Sequence, residues 1–200
     1  LLIYAIDYGW IRGIETQGAA FADILKECVP TNQRINIIAH SMGGLVTRSA
    51  IELADAKKHV QTVLTLGTPH LGVPRYVLTS VEINMLDRRT TPLNFFDDGA
   101  TLALSQVRDL REGTMFFDKI DNKKPNTIYY AFVIGDSNLG HRYTRYTKHS
   151  YGNVLNDGLV SVVSAGRGTG DPAKRPDYRQ TFPLNHEELR LDSMVMAEID

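Results

Sequence analysis

The sequence predicts an α/β fold, a mostly parallel sheet with helices on both faces, and three observations carry the prediction. Apolar strand-like runs alternate with amphipathic helical stretches from Leu1 to Leu66. One run, Arg34-Ile35-Asn36-Ile37-Ile38, passes directly into Ala39-His40-Ser41-Met42-Gly43-Gly44, the pattern of a strand turning sharply into a helix. The next, Val60 to Leu66, ends in Gly67-Thr68-Pro69-His70-Leu71-Gly72, a loop at the carboxyl edge where open α/β sheets build their sites.

Leu1 to Ile6 reads as the first strand. The chain starts inside it without methionine, so an upstream stretch, with any signal peptide, is expected to precede it. Gln17 to Cys28 reads as a helix with Phe21, Ile24, Leu25 and Cys28 on one stripe and Asp23, Lys26 and Glu27 opposite; Cys28 is assigned to packing beside Ile24 and Leu25. Ile35 to Ala39 reads as a buried parallel strand. The helix after it, reaching Lys57, carries Leu45, Val46, Ser49, Ala50, Leu53 and Ala54 at helical spacing.

From Val73 to Lys124 the periodicity weakens, with Pro92, Asn94, Asp97, Asp98, Gly99 and Gly113 interrupting short helical pieces such as Leu102 to Leu110. This insert, about 73–124, is a candidate lid or cap. Its apolar residues Val77, Leu78, Met85, Leu93, Phe95, Phe96, Met115 and Phe116 suit a covering surface, although ordinary core under a loop-rich region is the commoner use of such residues. Thr127 to Ile134 is a strong strand, Ser164 to Asp177 an exposed loop, and Arg179 to Leu184 a shorter strand.

The 200 residues suit a single domain, 1–200, long enough to bury about 70% of the unfolded surface without metal or disulfide staples. The formal net charge is -1, so nothing steers the whole molecule toward nucleic acid. Cys28 is the one cysteine, which excludes an intramolecular disulfide and leaves the compartment open. No run approaches the roughly 18 apolar residues of a membrane span, and the chain reads as soluble.

A tight strand-to-helix turn forces its apex into a strained backbone conformation and needs small flanking residues, here Ala39 and Gly43. It lifts the Ser41 hydroxyl clear of the sheet and aims the Met42 backbone N–H at a developing oxyanion, which points to serine hydrolase chemistry. Such a serine needs a base, and the base an orienting carboxylate. Among six histidines, His40 lies on the elbow with its side chain expected to point away and pack. His59, after Lys57-Lys58, reads as solvated, His70 as a loop-shaping residue, and His141 and His149 as brackets of a polar stretch. His186, between the last strand and the last helix, is the best candidate base. For the acid, Asp136 at a strand end and Asp157 in Asn156-Asp157-Gly158-Leu159-Val160-Ser161 both qualify, and spacing does not choose between them.

Four motifs in order, Ala39-His40-Ser41-Met42-Gly43-Gly44-Leu45-Val46, Leu66-Gly67-Thr68-Pro69-His70-Leu71-Gly72, Asn156-Asp157-Gly158-Leu159-Val160-Ser161 with Ser164-Ala165, and Asn185-His186, run through most of the chain. On them the chain resembles the α/β-hydrolase lipases of bacteria, true lipases and triacylglycerol lipase-like esterases. The resemblance implies an α/β-hydrolase sheet and a triad of Ser41, Asp157 and His186, with Met42 in the oxyanion hole. It implies an acyl-enzyme route on an acyl ester or lipid, without a cofactor, in a bacterial protein either secreted or cytoplasmic.

In that family a second oxyanion donor comes from a His-Gly loop after an earlier strand, and no such pair precedes Ser41. The N-terminal strands of the full fold are therefore expected to be missing, or Leu1 to Ile6 to pair directly with Ile35 to Ala39. Loss of that donor alone is expected to cost roughly 100-fold in turnover. Glu188 lies where some of these lipases bind a structural calcium ion, and a negative group at the start of the last helix explains it equally well. His141 to His149, with Arg142, Tyr143, Arg145, Tyr146 and Lys148, is a candidate for transient contact with an anionic lipid surface. Competing readings are an acyltransferase or lipid-anchor deacylase with the same triad, and a noncatalytic lipid- or protein-binding module on the same scaffold.

Overall fold

β-branched and aromatic residues dominate the segments that pair into one sheet, as expected for side chains that pack on a pleated, buried surface. The computed structural model describes residues 3–6, 12–78, 108–121, 127–139, 151–167 and 174–197. Its elements are α1 (Ile14–Cys28), β1 (Ile35–His40), α2 (Met42–Glu52), β2 (Val60–Leu66), α3 (Met115–Asp121), β3 (Tyr129–Gly135), α4 (Val162–Ala165), β4 (Tyr178–Phe182) and α5 (Ser193–Ala197), with 3-10 turns at Ala56–His59 and Glu188–Arg190. The strands lie in the order β1-β2-β3-β4, every neighbouring pair parallel. In register, Ile38 faces Leu64 and Leu66 faces Val133.

Both faces of β2 and β3 are covered, which is why these strands read as nearly continuous apolar runs. Val63, Tyr130 and Phe132 pack with Ala22 and Leu25 of α1 and with Ala50 and Ile51 of α2. Leu64, Leu66, Ala131 and Val133 pack on the other side with Phe182, Leu189 and Val195. β1 is different. It lies at the edge of the described sheet, and Ile38 is 54% exposed, so the expectation of a buried strand is corrected there.

α1 begins three residues earlier than the periodicity suggests, because the Ile14 N–H donates to Asp109 Oδ2 at 3.0 Å and this distant carboxylate stabilises the helix start. Its buried stripe is Ile14, Gln17, Gly18, Ala22 and Leu25, while Ile24 is 43% exposed and Cys28 is exposed, which corrects their predicted packing. The rotation has a steric cause. A Cβ on Gly18 would stand 2.3 Å from Ser49 Oγ, so α1 approaches α2 through its smallest residues.

Residues 3–6 are not in a strand and are exposed, which corrects the first predicted strand over those residues. Of the insert, Val77 and Leu78 pack with Ile134, and Phe116, Phe117 and Ile120 pack with Ile14, Leu45 and Val46. Met115 is exposed; Met85, Leu93, Phe95 and Phe96 lie outside the described residues. The predicted exposed loop from Ser164 in fact starts as α4, with Ser164, Ala165 and Arg167 buried. Among the described residues no helix is long and apolar enough to cross a membrane.

Candidate active site

Ser41 stands between β1 and α2 with φ 53° and ψ -129°, a conformation costly for any residue with a Cβ. Three bonds hold it. Its N–H donates to Leu66 O at 2.9 Å, while its carbonyl accepts from Gly44 N–H at 3.1 Å and from Thr68 Oγ1 at 2.8 Å. Thr68 fits only because α2 offers Gly44 there: a Cβ on Gly44 would meet Thr68 Oγ1 at 2.2 Å. Met42 opens α2, and its N–H is among the first-turn amides that a helix leaves without an intrahelical acceptor.

The structure brings Ser41, His186 and Asp157 together. His186 Nε2 lies 2.8 Å from Ser41 Oγ and His186 Nδ1 lies 2.7 Å from Asp157 Oδ2. A carboxylate only accepts, so Nδ1 carries the proton and Nε2 faces the serine hydroxyl as an acceptor. Asp157 is fully buried, and its other oxygen accepts from the N–H groups of Leu159 at 3.0 Å and Val160 at 2.7 Å. These bonds fix the carboxylate plane. The His186 N–H also donates to Asp157 O at 2.8 Å, so the two residues are joined by backbone as well as side chain.

The loop that supplies Asp157 is built by its own sequence. Asn156 spans it, its Nδ2 donating to Val154 O at 2.8 Å and its Oδ1 accepting from Gly158 N–H at 3.0 Å. Ser161 caps α4 by accepting from Ser164 N–H, and Ser164 Oγ donates to Gly72 O at 2.6 Å. The loops after β2 and before α4 are thereby tied together. Asp136, the competing acid, ends β3 with its N–H on Phe182 O, and it is Asp157 that contacts His186.

Asn185 organises the turn carrying His186. Its Oδ1 accepts from the N–H groups of Glu187 and Glu188, and Glu188 Oε2 accepts in return from Asn185 N–H at 2.9 Å, a reciprocal capping arrangement. Glu188 is thus committed to this cap. Among the described residues no group of three or more His, Cys, Asp or Glu is placed to hold a metal ion.

The remaining histidines differ from their sequence readings in two cases. His40 does not point away: its Nε2–H donates to His186 O at 2.7 Å, and the two rings lie 4.8 Å apart between centroids. Burial first, and the neighbouring His186 second, hold its pKa down to about 4. His59 is buried rather than solvated. His70 is fully buried, stacked on Phe132 with centroids 3.8 Å apart and bonded through Nε2 to Thr65 Oγ1 at 3.0 Å. His141, His149 and the basic aromatic stretch between them lie outside the described residues.

Sequence reasoning carries Gly44 and Gly67 within its motifs without giving them a task, and passes over Gly135. A Cβ on Gly67 would stand 3.0 Å from both Asp157 Oδ2 and His186 Nδ1. The signal available was a glycine at the carboxyl end of each central strand, at the edge where the site is built.

This is the α/β-hydrolase fold, and the chain is similar in structure to a Bacillus licheniformis lipase and a metagenomic carboxyl esterase. The profile of the PGAP1-like alpha/beta domain matches residues 14–89. A lipase of Bacillus licheniformis in its mature form superposes with TM-score 0.64 at 22% identity, over 97% of this chain and 77% of that one. In its propeptide form the TM-score is 0.65 at 21% identity, over 97% of this chain and 42% of that one. A metagenomic carboxyl esterase superposes with TM-score 0.65 at 15% identity, over 96% of this chain and 58% of its own length. The chain therefore spans less than two thirds of the lipase in its propeptide form and of the esterase. Comparison with curated proteins by sequence finds no match.

Proposed function

We propose that the protein is a serine carboxylic ester hydrolase of lipase or esterase type, cleaving acyl esters, lipids among them, through Ser41, His186 and Asp157. One observation carries this reading: an unbroken line of hydrogen bonds, 2.8 Å from Ser41 Oγ to His186 Nε2 and 2.7 Å from His186 Nδ1 to Asp157 Oδ2, based on a strained elbow. A structural serine needs neither the strain nor the base.

In the first half-reaction the Ser41 proton passes to His186 Nε2 as Oγ bonds to the ester carbonyl carbon. The Asp157 carboxylate stabilises the imidazolium that results. The carbonyl oxygen takes the electron pair and is met by the Met42 N–H, a donor worth about 3 kcal/mol in comparable sites. The intermediate collapses as His186 gives its proton to the leaving alkoxide, which departs as the alcohol and leaves acyl-Ser41. Water then attacks the acyl carbon, its proton goes to His186, and return of that proton to Ser41 Oγ releases the carboxylic acid.

The test is labelling by a fluorophosphonate, which bonds only an activated serine, together with hydrolysis of p-nitrophenyl butyrate. Labelling and turnover lost in Ser41→Ala and strongly reduced in His186→Ala support the reading. A wild-type chain that resists the probe and leaves the ester intact refutes it, and favours a binding module on the same scaffold.

A further inference from the structure

A histidine in a loop has four polar groups, its N–H, its C=O and two ring nitrogens, and each one left unpaired is a freedom to rock. In His186 all four are engaged. Asp157 takes the backbone N–H at 2.8 Å and Nδ1 at 2.7 Å, Ser41 Oγ faces Nε2 at 2.8 Å, and His40 Nε2–H holds the carbonyl at 2.7 Å. His40 and Ser41 are consecutive, so the last two bonds close a small ring running from one elbow peptide through both side chains to one residue of a loop 145 positions away. A displacement of that loop that parts Nε2 from Oγ must strain or break the His40 bond as well.

We propose that His40 is a positioning residue for the base: its Nε2–H, by holding the carbonyl of His186, keeps the His186 ring in line with the Ser41 hydroxyl. The inference rests on the esterase reading above and assigns a task to a side chain that the proton transfers do not use. The charge state suits it. The groups acting on the ring are His186, Arg190 and Asp157, and with a pKa of about 4 His40 is neutral near pH 7. A neutral ring adds no repulsion when His186 becomes an imidazolium, yet still has one N–H to donate.

Two variants separate donation from bulk. Gln places its amide nitrogen near the position of the histidine Nε2, whereas Leu fills similar space without a donor. His40→Leu is expected to lower kcat on p-nitrophenyl butyrate by about 10- to 100-fold, the scale of a small misplacement of reacting groups, with KM changed by less than about twofold. His40→Gln is expected to recover most of the loss, and the rate of fluorophosphonate labelling to follow kcat in each variant. Should His40→Leu fail to fold, His40→Asn replaces it, since its amide reaches only the level of Nδ1 and leaves the carbonyl without a donor.

Equal slowing in the Gln variant and the donor-free variant, or wild-type kcat in the donor-free variant, overturns the positioning role. If the wild type labels, Ser41→Ala does not, and the donor-free variant labels at the wild-type rate, only this inference falls. If the wild type itself does not label, the esterase reading fails and takes the inference with it.

Discussion

Gly135 lies directly beneath Asp157: a Cβ added to Gly135 would stand 2.8 Å from the Asp157 Cβ and 2.5 Å from the carbonyl oxygen of Leu184. The second of these is backbone, which cannot swing aside as a side chain does. β3 ends in glycine because the loop carrying the acid crosses it. The same holds at the end of β2, where Gly67 has a φ of +58° and an added Cβ would stand 3.0 Å from both Asp157 Oδ2 and His186 Nδ1. The relay thus sits on two glycine floors, one at the end of each central strand.

Gly135→Ala is accordingly expected to push the Asp157 loop off the sheet. The added methyl group should cost about 1–3 kcal/mol as overpacking. Because the strain falls on the acid, ester hydrolysis should fall further than the loss of folded protein accounts for. Urea denaturation and kcat, both measured where the variant is fully folded, check this; wild-type values of the two together would refute it.

The choice between the two acids is directly testable. In Asp157→Asn one oxygen of the carboxylate is replaced by an amide nitrogen, which either loses the Nδ1–H bond or forces the wrong His186 tautomer. A fall of about 10³- to 10⁴-fold in kcat is expected, by analogy with triads altered in this way. Asp136→Asn should stay within about twofold of wild type. Steady-state kinetics on a soluble ester decides, and comparable losses in the two variants would remove Asp157 from the role assigned to it.

What was legible in the sequence was local. The elbow shows itself because the strain at Ser41 is relieved by its immediate neighbours, and β2 and β3 because burial on both faces leaves an apolar run in each. The N-terminus of α1 was not legible, since its Ile14 N–H is held by Asp109, 95 residues further along the chain. Nor was the buried stripe of that helix, which is set by the approach of Gly18 to Ser49 rather than by hydrophobicity. His40 was misread because its acceptor is a backbone carbonyl 146 residues away. Asp157 was recoverable only through a motif: the loop that carries it is oriented by Asn156 and by the absence of a side chain at Gly135.

Arg48 and Glu52 form an ion pair inside α2 at 2.9 Å, with both side chains fully buried. Arg48 also donates to Ile120 O at 3.2 Å and His70 O at 3.4 Å, joining the helix after the elbow to α3 and to the loop after β2. Arg48→Met strands the Glu52 carboxylate in the interior and should cost about 3–5 kcal/mol. The double variant Arg48→Met with Glu52→Leu removes the orphaned charge and should recover part of that loss. Full recovery is not expected, because the bonds from Arg48 to the two carbonyls and from the Tyr130 hydroxyl to Glu52 Oε1, at 3.4 Å, are lost. Chemical denaturation of the three proteins tests the ordering, and a double variant more stable than wild type would show that the pair is not tying these elements together.

Two histidines make stability depend on pH in the same direction. His40 has its pKa lowered to about 4, by burial first and then by His186, and His70 well below its usual value, by burial first and then by the positive charges of Arg48 and Arg167. In the unfolded chain both titrate near 6.5. Below that pH the unfolded state takes up protons that the folded state refuses, so stability is level above pH 6.5 and falls as the pH drops toward 4. His40 alone contributes on the order of 3 kcal/mol to this fall, and His70 adds to it with the same sign. Carboxylates begin to titrate at the lower end, so the informative quantity is the difference between wild type and His40→Gln in urea midpoints from pH 7 to pH 4.5. The variant, with nothing to protonate at that position, should lose less stability over the interval. Parallel curves would mean that His40 is as easily protonated in the folded protein as in the unfolded chain, and that the neutral donor assigned to it beside His186 is not what the elbow holds.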